Sequence, residues 1–290
     1  MLCFRRVQSK ILLSFALAYI LSRPCQSTAL SIMSKKRPGV AASIKLAKSG
    51  AVNLWERVEQ QYDSIRSDKL LAAENACRKL NVGEDAECRE LSKDQLLALV
   101  QWKFAVGKPR PQNLGLLRAN ADVQVQKSSR AAIDLATEIN FANSVSESTG
   151  ELTTEGTKAI KETLENLTQL RGVGPATATV VLSRVRPDIF CYMYDEVIDC
   201  FEPKRDYTVN VYLRINSKCL QLAKSLGDDW TTARVAKVLW IAACVLAGGG
   251  DDLTASGATR QAVTKKTSSR SLKETPPLEG SRRKRPKTKR

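Results

Sequence analysis

The stretch Leu167-Thr-Gln-Leu170-Arg171-Gly172-Val173-Gly174-Pro175-Ala176-Thr177-Ala178-Thr-Val-Val181-Leu182 decides how the rest of the chain reads. Before it, Ile160, Leu164, Leu167 and Leu170 recur at helical spacing and make one apolar stripe. Gly172 and Gly174 then flank a single aliphatic residue, a pattern that permits a turn other residues would strain. Pro175 stands where a second helix would begin, its φ already set for that position. Val173 is placed to tuck between the two helices, and Ala178 is small enough to let them approach. Such a turn leaves backbone amides unpaired at the start of the second helix. Those amides and the helix dipole favour an anionic oxygen such as a phosphate, a contact that positions a protein on a nucleic-acid backbone without reading its sequence.

The helical reading extends outward in both directions. Leu54, Val58 and Tyr62 follow helical spacing from about Val52. Ser92 and Gln95 form a capping box that opens a helix through Leu96, Leu97, Leu99, Val100 and Trp102. Gly107-Lys-Pro-Arg-Pro111 ends it, because proline lacks a donor and restricts the residue before it. A further helix is expected over Ser129–Ile139, and a polar loop over Asn143–Thr153. After the hairpin, two helices are expected from about Thr208 to Leu226 and from Thr231 to Ala247, the last stopped by Gly248-Gly-Gly250. Strand alternation and internal repeats are missing from the sequence, so the expected class is all-α.

The formal net charge of +16 points to nucleic acid only after it is divided by region. Residues 1–50 carry +9 and residues 260–290 carry +10, which leaves −3 for the middle. The excess belongs to the ends, and binding by the middle needs a local patch. Arg171, Arg184 and Arg186 beside the turn are candidates for that patch. So are Lys103, Lys108 and Arg110 around Trp102, since basic groups near one aromatic suit a phosphate track. The chain has no histidine, which excludes Ser-His and Cys-His catalysis and argues against a transition-metal centre. Its eight cysteines show no CxxC spacing and read as free thiols of the core rather than metal ligands. No metal or cofactor is called for.

The ends give conflicting addresses. Arg5, Arg6 and Lys10 precede the apolar run 11–21, with small residues around 27–31, in the order of a secretory signal. The run is short for a membrane span, and Met33 opens an alternative polar start. The tail runs Arg282, Arg283, Lys284, Arg285, Lys287, Lys289, Arg290, a nuclear-localisation or nonspecific nucleic-acid-binding pattern. The nuclear reading agrees with the hairpin. The expected organisation is therefore a targeting segment at 1–32, a basic linker at 33–50, an all-α domain at 51–250 with its hairpin at about 156–186, and a disordered basic tail at 251–290.

At Leu170-Arg-Gly-Val-Gly-Pro-Ala-Thr-Ala178 the chain resembles the helix-hairpin-helix DNA glycosylase superfamily, the endonuclease III-like group. The matched stretch covers about 160–200, and a weaker likeness of helix order extends over about 50–247. Trp102-Lys103, Gly107-Lys108-Pro-Arg110-Pro and the hairpin together resemble a eukaryotic subgroup, a likeness that implies no particular activity. The superfamily resemblance implies an all-α fold with a hairpin and an essential acid facing a cleft that receives an extruded base, and it puts Asp195 within one residue of the acid's position. Asp195 would then stabilise positive charge developing on the sugar, or activate water. Three departures matter. Ala176 stands where bifunctional members have a Schiff-base lysine, so the resemblance implies base release without strand cleavage. The family's late four-cysteine cluster is missing. The acid lies in Tyr192-Met-Tyr-Asp-Glu196, where Asp195 also suits a helix N-cap, and Tyr192 and Tyr194 suit either an extruded base or the core. Three readings remain open: a monofunctional base-excision enzyme, a DNA-binding adaptor or chromatin-associated protein that keeps the hairpin without the chemistry, and a secreted or organellar protein whose hairpin is a structural corner.

Overall fold

Helix-start chemistry is what divides this chain into its elements. A computed structural model describes residues 38–81 and 89–247, and among them it contains 13 helices and no strand. They are α1 (Pro38–Ser49), α2 (Val52–Glu59), α3 (Tyr62–Ile65), α4 (Asp68–Lys79), α5 (Lys93–Val106), α6 (Pro111–Arg118), α7 (Asp122–Glu138), α8 (Phe141–Ser144), α9 (Thr154–Thr168), α10 (Pro175–Val185), α11 (Asp195–Phe201), α12 (Val209–Leu226) and α13 (Thr232–Ala247). Ser92 and Gln95 form the expected capping box at α5. Thr153 and Thr208 cap α9 and α12 through their hydroxyls, satisfying amides that have no partner inside the helix. The expected boundaries of α12 and α13 hold to within a residue. The targeting segment at 1–32 and the basic tail, with Arg282–Arg290, lie outside the described residues. Among the described residues no helix is long and apolar enough to cross a membrane.

Three expectations are corrected. The segment read as a basic linker at 33–50 contains α1, whose Val40, Ala42, Ser43, Ile44 and Leu46 are buried while Lys45 and Lys48 stay exposed. Its lysines occupy the narrow solvent-facing strip of an otherwise buried helix, so charge content misrepresents its position. The helix expected at Ser129 begins at Asp122. Its N-cap, Ala121, carries no capping side chain, and the Asp122 carboxylate accepts instead from the Lys93 amide of α5 at 2.7 Å. Ser129 is fully buried mid-helix, where its hydroxyl accepts from the Leu91 amide at 2.8 Å. Finally, the expected polar loop holds the end of α8 and a tight turn closed by an antiparallel bridge between Val145 and Leu152.

The helices form two packed groups. One gathers α4–α10, and the other gathers α1–α3, α11 and α13. Helix α12 touches members of both. Leu164 and Leu167 of α9, Ala178, Val180 and Leu182 of α10, Val197 and Ile198 of α11 and Ile215 of α12 are shielded from water throughout this core. Cys77, Cys191 and Cys219 are buried free thiols.

Helices α1 and α13 approach so closely that Gly39 has no room for a side chain. A Cβ there would sit 2.2 Å from the carbonyl oxygen of Ala243. Beside it, the Ser43 hydroxyl donates to the Leu239 carbonyl at 2.7 Å. Gly39→Ala should therefore force the helices apart and cost about 3 kcal/mol, an overpacking penalty against backbone. Urea denaturation would measure it, and an unchanged midpoint would show that this contact is not tightly held.

Candidate functional site

The hairpin turn is held from outside as well as by its own backbone. The Val173 amide donates to the Leu170 carbonyl at 3.1 Å, and Gly172 takes φ +78°, in the left-handed region. A Cβ at Gly172 would meet the Asn113 carbonyl and Leu116 of α6 at 3.0 Å. Buried Asn120, just after α6, grips Arg171 from both sides. Its amide donates to the Arg171 carbonyl at 3.0 Å, and its side-chain oxygen accepts from the Arg171 amide at 2.9 Å. Asn120 carries no sequence signal, because its role depends on a contact 51 positions away. Val173 is buried between the helices, as its setting in the turn predicts.

Helix α10 then starts at Pro175, with extended Gly174 as its N-cap. The Val173 amide is consumed by the turn, so the turn offers fewer free donors than expected. Those of Gly172, Gly174 and Ala176 have no acceptor among the described residues. A Cβ at Gly174 would meet nothing within 4 Å, and the residue is exposed.

Gly174 opens onto a pocket with about 690 Å³ of empty space, its open mouth included. The last turn of α5 and the connector after it contribute Lys103, Lys108 and Arg110. The start of α10 contributes Ala176 and Thr177, and the segment before α11 contributes Tyr192 and Asp195. Tyr207, just before α12, closes another side. Residues read separately as a hairpin, a basic loop and a candidate acid therefore line a single cavity. Three cations face one carboxylate in it.

Asp195 is the first residue of α11, not its N-cap. Tyr194 holds the cap position, and no side chain bonds the orphan amides there. The carboxylate turns to side-chain partners instead. Its Oδ1 accepts from the Tyr207 hydroxyl at 2.8 Å, and its Oδ2 accepts from Arg205 Nη1 at 2.6 Å. The same guanidinium donates twice to Asp199, at 2.7 Å each. Burial and the hydrogen bond to Asp195 push the Tyr207 hydroxyl up to about 12. Sequence reasoning missed Arg205, Tyr207 and Asp199. The i, i+4 spacing of Asp195 and Asp199 on one helical face was the available signal. Glu196 does not line the pocket.

Lys103 is the cation of the pocket that its surroundings alter. Its Nζ donates to Thr177 Oγ1 at 2.8 Å, tying α5 to the start of α10. Burial, reinforced by the Arg110 charge and opposed by Asp195, pushes the ammonium down to about 8. Arg110 lies with its guanidinium 5.4 Å from the Tyr207 ring centroid.

Two of the arginines proposed for the patch serve the fold. Arg184 lies 4.3 Å over the Trp102 ring and donates to the Val180 carbonyl at 2.7 Å. Arg186 forks onto Asp188 and donates to the carbonyls of Ala136 and Ile139, satisfying the end of α7. Each completes contacts that a phosphate would have to displace. Arg171, Lys108 and Arg110 remain exposed. Tyr192 and Tyr194 are buried in an aromatic chain, 4.3 Å apart at their centroids, with Tyr194 stacked on Trp240 at 5.4 Å. Of the two, only Tyr192 reaches the pocket wall.

No protein family, curated protein or solved structure matches this chain.

Proposed function

We propose that this chain is a nuclear helix-hairpin-helix protein that grips a DNA backbone at the amides of Gly172 and Gly174, not at Thr177, whose amide bonds Gly174 and whose hydroxyl accepts from Lys103, and that it works on a base drawn into the adjoining pocket. The observation that carries this reading is the shared lining: Asp195 and the exposed Gly174, whose amide has no acceptor among the described residues, line one cavity. A phosphate at the amides would place the neighbouring sugar at the pocket mouth. Arg171, Lys108 and Arg110 would add backbone charge contacts. Within the pocket, a carboxylate held in place by Arg205 and Tyr207 suits electrostatic stabilisation of an oxocarbenium-like transition state better than proton abstraction, because both of its oxygens already accept hydrogen bonds. That same engagement favours a second reading, a DNA-binding adaptor in which the acid is only structural.

Gly174→Asp tests the binding face. It places a carboxylate in open space where phosphate would sit, so duplex affinity measured by fluorescence anisotropy should fall by about tenfold or more. The fold should be unaffected, since no atom lies within 4 Å of the new Cβ. Unaltered affinity would remove the hairpin from the interface. Release of a base from a panel of damaged duplexes would separate enzyme from adaptor.

A further inference from the structure

Five aromatic rings from separate parts of the chain meet in one unbroken line. Trp102 of α5 meets Tyr192 at 5.4 Å between centroids, and Tyr192 meets Tyr194 at 4.3 Å. Tyr194 stacks on Trp240 of α13 at 5.4 Å, and Trp240 meets Tyr62, at the start of α3, at 6.2 Å. The three middle rings are buried, and the two end rings are partly exposed. Tyr192 is also part of the pocket wall, so the line joins the pocket to Tyr62 on another helix. Packing alone asks only for rings. Every member of the line is a tyrosine or a tryptophan, the aromatic side chains that give up an electron readily. None of the chain's six phenylalanines stands in it.

The charges along the line give it a direction. Arg184 lies 4.3 Å over Trp102, so positive charge on that indole is opposed. The Tyr192 hydroxyl has no hydrogen-bond partner among the described residues, so no base of the fold takes its proton and an electron vacancy does not settle there. At the far end, Arg66 and Lys237 lie 5.8 and 4.8 Å from the Tyr62 ring centroid. The Tyr62 hydroxyl donates to a Glu74 carboxylate oxygen. When Tyr62 loses an electron, its phenol proton passes to that carboxylate. The ring ends as a neutral radical, which the two cations do not oppose. Tyr207 is the contrast. Its hydroxyl also donates to a carboxylate, that of Asp195, but it has no ring contact among the described residues. Arg205 bonds Asp195 at 2.6 Å, whereas Arg66 stands 3.7 Å from Glu74. The closer cation makes Asp195 the poorer proton acceptor.

We infer that Trp102, Tyr192, Tyr194, Trp240 and Tyr62 form a hole-transfer path that carries a one-electron oxidation away from the pocket wall to Tyr62. The inference does not rest on the proposed function. Its co-reactants are an oxidising radical at the pocket opening and a thiol in solution. The radical takes one electron from Tyr192 and is reduced. An electron from Tyr194 refills Tyr192, and one from Trp240 refills Tyr194. Tyr62 then refills Trp240 as its phenol proton moves to Glu74. Trp102 is refilled from Tyr192 when the radical strikes there. The thiol gives a hydrogen atom to the Tyr62 oxygen and becomes a thiyl radical, and Glu74 releases its proton to water. The net change is one electron to the radical and one hydrogen atom from the thiol, and the pocket wall is left intact.

The chain has no histidine, so Lys108→His in the full-length protein creates a single imidazole for a ruthenium polypyridyl complex at the pocket opening. A light flash with hexaammineruthenium(III) as quencher leaves a ruthenium(III) oxidant bound there. Transient absorption follows its reduction, and electron paramagnetic resonance of freeze-quenched samples detects phenoxyl radicals. The expected result is a phenoxyl signal that is lost in Tyr62→Phe. It should be lost equally in Trp240→Phe, which leaves Tyr62 in place and interrupts the line. Trp240→Tyr should restore it, which separates loss of the path from loss of the fold. Glu74→Gln still offers an oxygen to the Tyr62 hydroxyl but does not take its proton, so the signal should fall there too. No phenoxyl signal in the labelled parent protein overturns the inference. So does a signal of unchanged yield in Trp240→Phe. A signal that survives in Tyr62→Phe and disappears in Tyr207→Phe also overturns it, and places the oxidation on the pocket wall.

Discussion

Lys103→Met should make the protein more stable at neutral pH, by about 3 kcal/mol, even though it removes a hydrogen bond. The sign follows from the direction of the pKa change. The Lys103 ammonium falls from an ordinary 10.5 to about 8 in the folded protein, so folding disfavours its charged form. Below pH 8 folded and unfolded chains both carry the proton, and the whole penalty is present. Between about 8 and 10.5 the unfolded chain binds more protons, so wild-type stability climbs with pH. Each pH unit is worth about 1.4 kcal/mol, which sets the total. Above 10.5 neither state is charged and the penalty is gone. The methionine variant has no such dependence, so its advantage should be full at pH 7 and shrink through this window. Urea unfolding of both proteins at a series of pH values checks it. A methionine variant that is less stable at pH 7, with a difference that does not change towards pH 10, would show that Lys103 is a net structural contributor. A residue that lowers stability is expected to persist for another reason.

What could be read ahead of the structure follows the range of the interactions. The turn between α9 and α10 was legible because each of its determinants is local: an aliphatic stripe at helical spacing, glycines flanking Val173, and Pro175 at a helix start. The α5 capping box and the ends of α12 and α13 were legible for the same reason. Helix α7 was misplaced because its start is marked by Ala121, with no capping oxygen, while the informative side chain, Asp122, serves another helix. Helix α1 was missed because it buries nearly its whole circumference, which erases the polar–apolar alternation that identifies a surface helix. In the site, residue types suggested Asp195, Lys103 and Gly174 separately, and the pocket brings them together. The pairings of Asp195 with Arg205 and Tyr207 were not legible, because the cap reading of an acid at a helix start is equally local and here does not apply. Arg184 and Arg186 show the converse: basic residues beside a candidate interface that are already committed to an indole face and to helix-end carbonyls. Charge near a motif does not establish a binding patch until its partners are known.

Asp195→Asn should reduce base release by about 10²–10³-fold while leaving duplex affinity unchanged, if the carboxylate stabilises charge developing on the sugar. Asparagine preserves the size of the side chain, and its oxygen can still accept from the Tyr207 hydroxyl. It removes the negative charge and presents an amide to Arg205, which keeps its two bonds to Asp199. The Asp195 and Arg205 side chains are 21% and 22% exposed, so solvent screening moderates the stability loss to roughly 1 kcal/mol. Asp199→Asn provides the comparison. It disrupts the other side of the same guanidinium, whose partner is 18% exposed, and should cost a similar amount of stability. Asp199 does not line the pocket, so release should change by no more than a few-fold. Single-turnover release on a damaged duplex, measured beside thermal unfolding for both variants, separates the roles of the two acids. A large loss confined to Asp195→Asn assigns that carboxylate to the chemistry. Equal effects of the two variants on release would assign the whole network to structure. A chain that releases no base from any damaged duplex, and loses only thermal stability on Asp195→Asn, would be the adaptor, with a carboxylate that serves to hold α11 to the segment before α12.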